Sequence, residues 1–303
     1  MSILRINADH NGLTLHDSGA PLAPALIAAL AGSGPVVIMV HGFKFEPGHP
    51  EHCPHTHILS DLADNDDPRA LSWPRALGMT GAEGPLGIAF GWPSRGSIWQ
   101  AYGQAEIAGR ALAALIGRIR RLAPHRPVRT IAHSLGGRVV LAALPHLRPG
   151  DVERIVLLSP AELIHIAEGR LATAAGRAAE VLSVSSGENH LFDRLLEAAF
   201  GHHWARAMTR ARQPLPGTLD LQLNDPAALT ALARLGFSVA PPDRRVCHWF
   251  SYLRPGVFDL YRALLGAPDG LTLTDLQAAL QGAAATPARP ARAWPLFAAG
   301  NAP

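Results

Sequence analysis

The sequence predicts an α/β fold in which a mostly parallel sheet carries helices on both faces, with an antiparallel hairpin at the N-terminus. Three observations carry that expectation. Five short runs of β-branched and apolar residues, at 36–40, 86–90, 128–132, 155–158 and 181–184, are continuous rather than alternating, which is the pattern of strands buried on both faces. Stretches of helical periodicity lie between most of them, and strand alternating with helix implies parallel pairing. The 303 residues, 48% hydrophobic and 17% charged, suffice for one large core. Residues 1–282 are therefore expected to form one domain, and 283–303, dominated by Ala and Pro, a mobile tail onto which Trp294, Leu296 and Phe297 could dock.

The elements follow in order. Residues 3–7 and 13–16 flank Asn11-Gly12, a pair that supplies the positive φ angles of a tight hairpin. Residues 22–31 read as a short helix before the first buried run. Over 104–122, Ile107, Ala111, Leu112, Leu115, Ile116 and Ile119 keep helical spacing, while Arg118, Arg120 and Arg121 gather at the C-terminal end, where the helix dipole favours cations. Residues 138–144 form an apolar helical stretch directly after the third run. Residues 162–179 read either as helix packed on the sheet or as part of a lid. Beyond Val184 the pattern is less regular, with a late strand at 219–223, a helix at 226–235 and a further helix at 257–265.

Composition narrows the function classes. The formal charge of +3 comes from arginines scattered along the chain, Lys44 being the only lysine, which argues against a nucleic-acid partner. The uncharged stretch 20–43 is interrupted by Pro24, Gly32, Gly34 and Pro35, so it fits a helix, a turn and a strand rather than a membrane span. Cys53 and Cys247 are too few for a disulfide framework and are expected to be free. With no apolar leader near Met1, the expected location is cytoplasmic.

The chemistry centres on Ala132-His133-Ser134-Leu135-Gly136-Gly137, which runs from a strand into a helix with Ser134 at the corner. A serine on so sharp a turn is held in a strained conformation with its hydroxyl lifted off the sheet, and the next amide, Leu135, points to where an oxyanion forms. The residues two before and two after the serine must be small, a condition met by Ala132 and Gly136. An ordinary serine in a strand-to-helix turn is the competing reading. The pair His41-Gly42 after the first buried run turns the chain so that Phe43 offers the second oxyanion amide.

With Phe90-Gly91-Trp92-Pro93-Ser94-Arg95-Gly96, the helix after it, the elbow at Ser134 and the strand leading to Pro160, the sequence over 36–161 resembles bacterial α/β-hydrolases of the DUF900 type, with a weaker match at His248. The resemblance implies the α/β-hydrolase fold and an esterase- or lipase-like reaction, and no substrate.

In that fold the nucleophile, the acid and the histidine follow one another along the chain. Of the histidines beyond the last buried run, His190, His202, His203 and His248, the choice falls on His248, which lies between a turn-rich segment and the helix at 257–265. Trp249, Phe250 and Tyr252 beside it are candidates to wall a pocket. The acid belongs just past Ser185, where Glu188 stands first and Asp193 second, Asp193 being equally able to cap a helix or pair with Arg194. His190 occupies a place where related sequences often carry an aspartate.

Further residues have two readings each. His133, Trp92, Arg95 and Trp249 are candidate substrate-binding residues, Arg95 for an acidic group, although an arginine tying two loops together is as reasonable. Trp92 and Trp99 could line an entrance or fill it. His49, His52, Cys53, His55 and His57 are metal-ligand types without paired spacing, so a polar cap is preferred and no metal or other cofactor is expected. The function expected is a serine hydrolase cleaving a small-molecule acyl ester, with thioester or amide cleavage, or ligand binding without catalysis, as alternatives. No oligomeric state follows from the sequence.

Overall fold

The computed structural model describes residues 3–9, 12–16, 18–62, 67, 69–79, 84–200, 204–266 and 270–284. Eight strands form one sheet: β1 (Ile3–Asp9), β2 (Gly12–Leu15), β3 (Val36–Val40), β4 (Leu86–Gly91), β5 (Val128–His133), β6 (Arg154–Leu158), β7 (Glu180–Ser185) and β8 (Thr218–Gln222). Their order is β2-β1-β4-β3-β5-β6-β7-β8. Only the β1–β2 pair is antiparallel, with Ile6 opposite Leu15. All other pairs are parallel, as for β3 with β5, where Val40 lies beside Ala132. This is the α/β-hydrolase arrangement.

The helices are α1 (Leu22–Ala29), α2 (Trp73–Ala76), α3 (Ile98–Leu122), α4 (Leu135–Ala143), α5 (Ile164–Leu171), α6 (Ala174–Ala178), α7 (His190–Phe200), α8 (Pro226–Arg234), α9 (Phe250–Leu253), α10 (Val257–Leu265) and α11 (Leu273–Ala284). The central strands β3 to β6 are buried along their whole length and mostly apolar, the buried Arg129 and Arg154 being ion-paired with Glu153 and Glu180. Alternate residues feed two cores. Val36, Ile38 and Val40 pack with α1, α3 and α4, while Val37 and Met39 pack on the opposite face with Trp73 and the side chains of α8 and α10.

Several boundaries differ from expectation for identifiable reasons. Helix α3 starts six residues before the periodic stretch, because Ser97 and Gln100 form a reciprocal capping box that sets its N-terminus. The stretch 162–179 divides into α5 and α6, since Thr173 caps a new start by accepting from the Gly176 amide. Helix α11 and the short α2 and α9 were not anticipated, and α7 only as a helix start at Asp193; its periodicity is hidden because Leu191 and Leu195 stay on its exposed side. Asn11, His202, His203 and residues 285–303, including Trp294, Leu296 and Phe297, lie outside the described residues. No described helix is long and apolar enough to cross a membrane.

Contact between α3 and α4 places the elbow. At Gly109 the two helices are so close that a Cβ would stand 2.5 Å from Ala142 Cβ and 2.9 Å from Val139 O. A methyl group there forces the helices apart, and α4 carries Ser134 at its start. Gly109→Ala is expected to lower the unfolding free energy by about 1–3 kcal/mol, the usual range for overpacking, as read by urea denaturation.

Candidate active site

Ser134 leaves the C-terminal end of β5 with φ 54° and ψ −122°, a region that residues bearing a Cβ avoid at a cost of about 1–3 kcal/mol. Backbone bonds hold it there. The Ser134 amide donates to Leu158 O at 2.9 Å, and its carbonyl accepts from Gly137 at 2.9 Å and Ala161 at 3.0 Å. Tight packing then explains the small residues: a Cβ on Gly136 would meet Val40 O and His41 O at 2.6 Å, and one on Gly42 would meet Ser134 Cβ at 2.9 Å. The loop after β3 is thus pressed against the elbow. Among the described residues, the amides of Phe43 and Leu135, one from each side of this contact, are taken by no loop or side-chain acceptor.

His41 holds that loop. Its Nδ1–H donates to Gly42 O at 2.9 Å and its Nε2 accepts from the Trp92 amide at 3.0 Å, while the Trp92 indole N–H returns a bond to His41 O at 3.0 Å. Both ring nitrogens are used by the neutral ring. Burial pushes the His41 pKa down to about 3. Trp92, expected near the substrate, is fully buried and stacked on His41 at 5.5 Å, so it supports the loop from beneath. Ser94 adds to the brace, donating to Gly42 O and accepting from the Phe45 amide.

His248 Nε2 stands 2.8 Å from Ser134 Oγ. With Nδ1 protonated, Nε2 presents its lone pair to the serine hydroxyl. Nδ1–H donates to Asn189 Oδ1 at 2.7 Å. Neither carboxylate singled out from sequence makes that contact. Glu188 is buried and ion-paired with Arg254, and it also accepts from Ser186 Oγ at 2.8 Å. Its backbone accepts from the Cys247 amide at 3.0 Å, so Glu188 clamps the loop after β7 to the histidine loop instead of orienting the imidazole. Asp193 sits one turn further on, accepting from Asn189 Nδ2 at 2.7 Å and from Thr209 Oγ1 at 2.7 Å. The reason lies in the short 3-10 turn over Gly187–Asn189, which turns Glu188 toward Arg254 and Asn189 toward His248. Asn189 was missed because an amide carries no charge to mark it.

Other side chains secure the histidine loop. His133 Nε2–H donates to His248 O at 3.0 Å, and burial lowers the His133 pKa to about 4. A buried residue so engaged holds the base loop to the elbow rather than facing a ligand. Ser159, at φ 46°, bonds Ser251 at the start of α9 through their hydroxyls at 3.1 Å. Phe192 stacks on the imidazole with ring centres 4.5 Å apart, and half-buried Trp249 meets both rings edge-on. Phe192 also escaped sequence reading, since a helix start at Asp193 leaves Phe192 ahead of the helix, whereas α7 begins at His190.

Arg95 lies 3.8 Å from Glu46, and the two line a groove of about 420 Å³ with Pro93, Gly96, Gln100 and Gln104. Neither Ser134 nor His248 lines it. The histidine-rich loop is internally paired: His55 Nε2 bonds Asn7 Oδ1 at 2.8 Å and stacks on His16, while His57 pairs with Asp67. Among the described residues no group of three His, Cys, Asp or Glu could hold a metal ion. Cys53 and Cys247 are free and buried.

Residues 26–167 match the family described as an alpha/beta hydrolase of unknown function (DUF900). Over that segment the chain is similar to α/β-hydrolases of the DUF900 type. The matched segment holds Phe43 and Ser134 but ends before Asn189 and His248. No curated protein matches the chain. Among solved structures it is similar to MenH from S. aureus, at 10% identity and a TM-score of 0.32, over 62% of this chain and 84% of that one. It is also similar to the phospholipase PlaB from Legionella pneumophila in complex with thio-NAD, at 14% identity and a TM-score of 0.30, over 55% of this chain and 40% of that one. Trichoderma reesei cutinase in complex with a C11Y4 phosphonate inhibitor matches at 13% identity and a TM-score of 0.23, over 47% and 69%.

Burial of neutral histidines has a consequence for stability. His41, His55 and His133 have folded pKa values of about 3, 2 and 4, against 6.5 for a free ring. Below 6.5 the unfolded chain takes up protons that the folded chain refuses, so stability falls with falling pH until the folded rings themselves titrate. Each is expected to remove up to about 1.4 kcal/mol per pH unit between pH 6.5 and about 4, measured as the pH dependence of the urea-unfolding free energy.

Proposed function

We propose that this protein is a serine hydrolase that cleaves a small or medium acyl ester through an acyl-enzyme on Ser134. The 2.8 Å approach of His248 Nε2 to a serine hydroxyl held at a strained elbow is the observation that carries the reading. In the reaction, His248 Nε2 takes the hydroxyl proton as Ser134 Oγ attacks the acyl carbonyl carbon. The carbonyl electron pair moves onto oxygen, where the amides of Phe43 and Leu135 receive it; one such donor typically contributes about 3 kcal/mol. Collapse expels the alkoxide, which leaves with the proton from His248. Water then attacks the acyl carbon, again giving its proton to Nε2, and the acid product departs as Ser134 recovers its hydrogen.

The surroundings favour an apolar acyl group. Phe43, Phe192 and Trp249 are half-buried rings beside the two sides of the site, and Ser134 itself is only 5% exposed. A hydroxyl so enclosed admits a slender acyl chain more readily than a bulky one.

Two measurements test the proposal. A fluorophosphonate probe is expected to label Ser134, and Ser134→Ala to lower hydrolysis of a short p-nitrophenyl ester by about 10⁴-fold or more at unchanged thermal stability. An adduct elsewhere, or an active Ser134→Ala variant, overturns the reading. Burial also holds the His248 pKa well below 6.5, so the base remains neutral in mild acid. Accordingly kcat/KM is expected to stay level from pH 7 to pH 6 and to decline only at lower pH.

A further inference from the structure

We propose that the positioning residue of His248 is the neutral amide of Asn189, itself locked by Asp193 and Thr209, so that the negative charge of the site stands one residue away from the imidazole. The inference rests on the Ser134–His248 reading above and concerns what lies behind the histidine.

The hydrogen bonds allow one orientation of the amide. A carboxylate oxygen accepts and does not donate, so the group 2.7 Å from Asp193 Oδ1 must be the Asn189 NH2. Its carbonyl oxygen is then turned to His248 Nδ1, at 2.7 Å, and an oxygen there requires the proton on Nδ1. That tautomer leaves the Nε2 lone pair for Ser134. Thr209 donates to the same Asp193 oxygen and so fixes the carboxylate that fixes the amide. Asn189 and Asp193 are 2% and 3% exposed, which keeps water from competing for these bonds. The second oxygen, Asp193 Oδ2, is buried without a hydrogen-bond partner among the described residues. A proton taken up there leaves Oδ1 still accepting from Asn189, so the amide keeps its orientation when the carboxyl is neutral.

Orientation and charge are thereby separated. A carboxylate bonded to Nδ1 performs both tasks: it selects the tautomer and stabilises the imidazolium. Here the amide does the first, and the second is left to a charge beyond it. Among the described residues, no carboxylate other than Asp193 is hydrogen-bonded behind the imidazole through Asn189. The groups facing His248 are His133, with ring centres 4.7 Å apart, the apolar rings of Phe192 and Trp249, and Asn189. Glu188 is neutralised by Arg254, Arg69 lies over the Trp249 ring, and Tyr252 packs edge-on against His133. Around Asp193 the charged and titratable groups are His190 and Arg210. The arrangement favours a base that stays unprotonated in acid and gives up part of the imidazolium stabilisation that a direct carboxylate supplies.

The test moves the charge by one residue. In the double variant N189D/D193N the hydrogen bonds can be rebuilt with the carboxylate against Nδ1, and the acid limb of kcat/KM is expected to rise by about one to three pH units. Asn189→Ala is expected to lower kcat by about 10²-fold with little change in KM, as loss of orientation at a general base does. Titration of the ¹⁵N-histidine-labelled wild-type protein needs no variant to fold: His248 should carry its proton on Nδ1 and titrate below 6.5. An acid limb that stays in place in the double variant, a wild-type kcat in Asn189→Ala, or a His248 that titrates at or above 6.5 overturns the inference. Fluorophosphonate labelling separates the two failures. If wild-type Ser134 is labelled and any of these results appears, the role of Asn189 falls alone; if Ser134 is not labelled, the nucleophile reading falls and this one with it.

Discussion

The site depends on van der Waals exclusion between two turns. The loop after β3 and the elbow after β5 meet where Gly42 touches Ser134 and Gly136 touches the carbonyls of Val40 and His41, with no room for a side chain at either glycine. Because β3 and β5 are neighbours in register, their C-terminal ends arrive at the same level, and the contact follows from the parallel sheet. It brings together the segments that hold Phe43 and Leu135. Strain at Ser134 persists because bonds to Leu158, Gly137 and Ala161 surround it with more constraints than a single relaxed dihedral could satisfy.

Around that contact, neutral histidines do the work that metal ions or ion pairs do elsewhere. His41 ties the first loop to Trp92 and His133 ties the elbow to the backbone of His248. Each uses the directional N–H of an uncharged ring, which burial protects from protonation. The buried ion pair of Glu188 with Arg254 joins the loop after β7 to the C-terminal end of α9.

Much of this was legible in one dimension. The five largely apolar runs marked the buried strands because burial on both faces leaves few positions for a polar residue, and the small residues around Ser134 marked the elbow because its geometry excludes larger ones. His248 could be chosen from order along the chain. Asn189 could not. The acid was sought by charge, and the turn over Gly187–Asn189 sends the charged side chain to an arginine and the neutral one to the histidine. Trp92 and His133, named as candidate substrate contacts, are buried and hydrogen-bonded to the loops around Ser134, because proximity in sequence says nothing of which side of the backbone a ring takes.

By itself, then, the sequence determined the parallel sheet, the position of the elbow and the residue types from which a nucleophile and a base can be made. These follow from local rules: burial sets composition, and tight turns demand small side chains. Which group stands behind the imidazole, which rings brace the loops and which carboxylate is neutralised were decided only by the tertiary structure. Those choices depend on distances between side chains brought together from β7, α7, α9 and the loops before them, and a few ångströms across such a junction separate an orienting contact from a structural clamp.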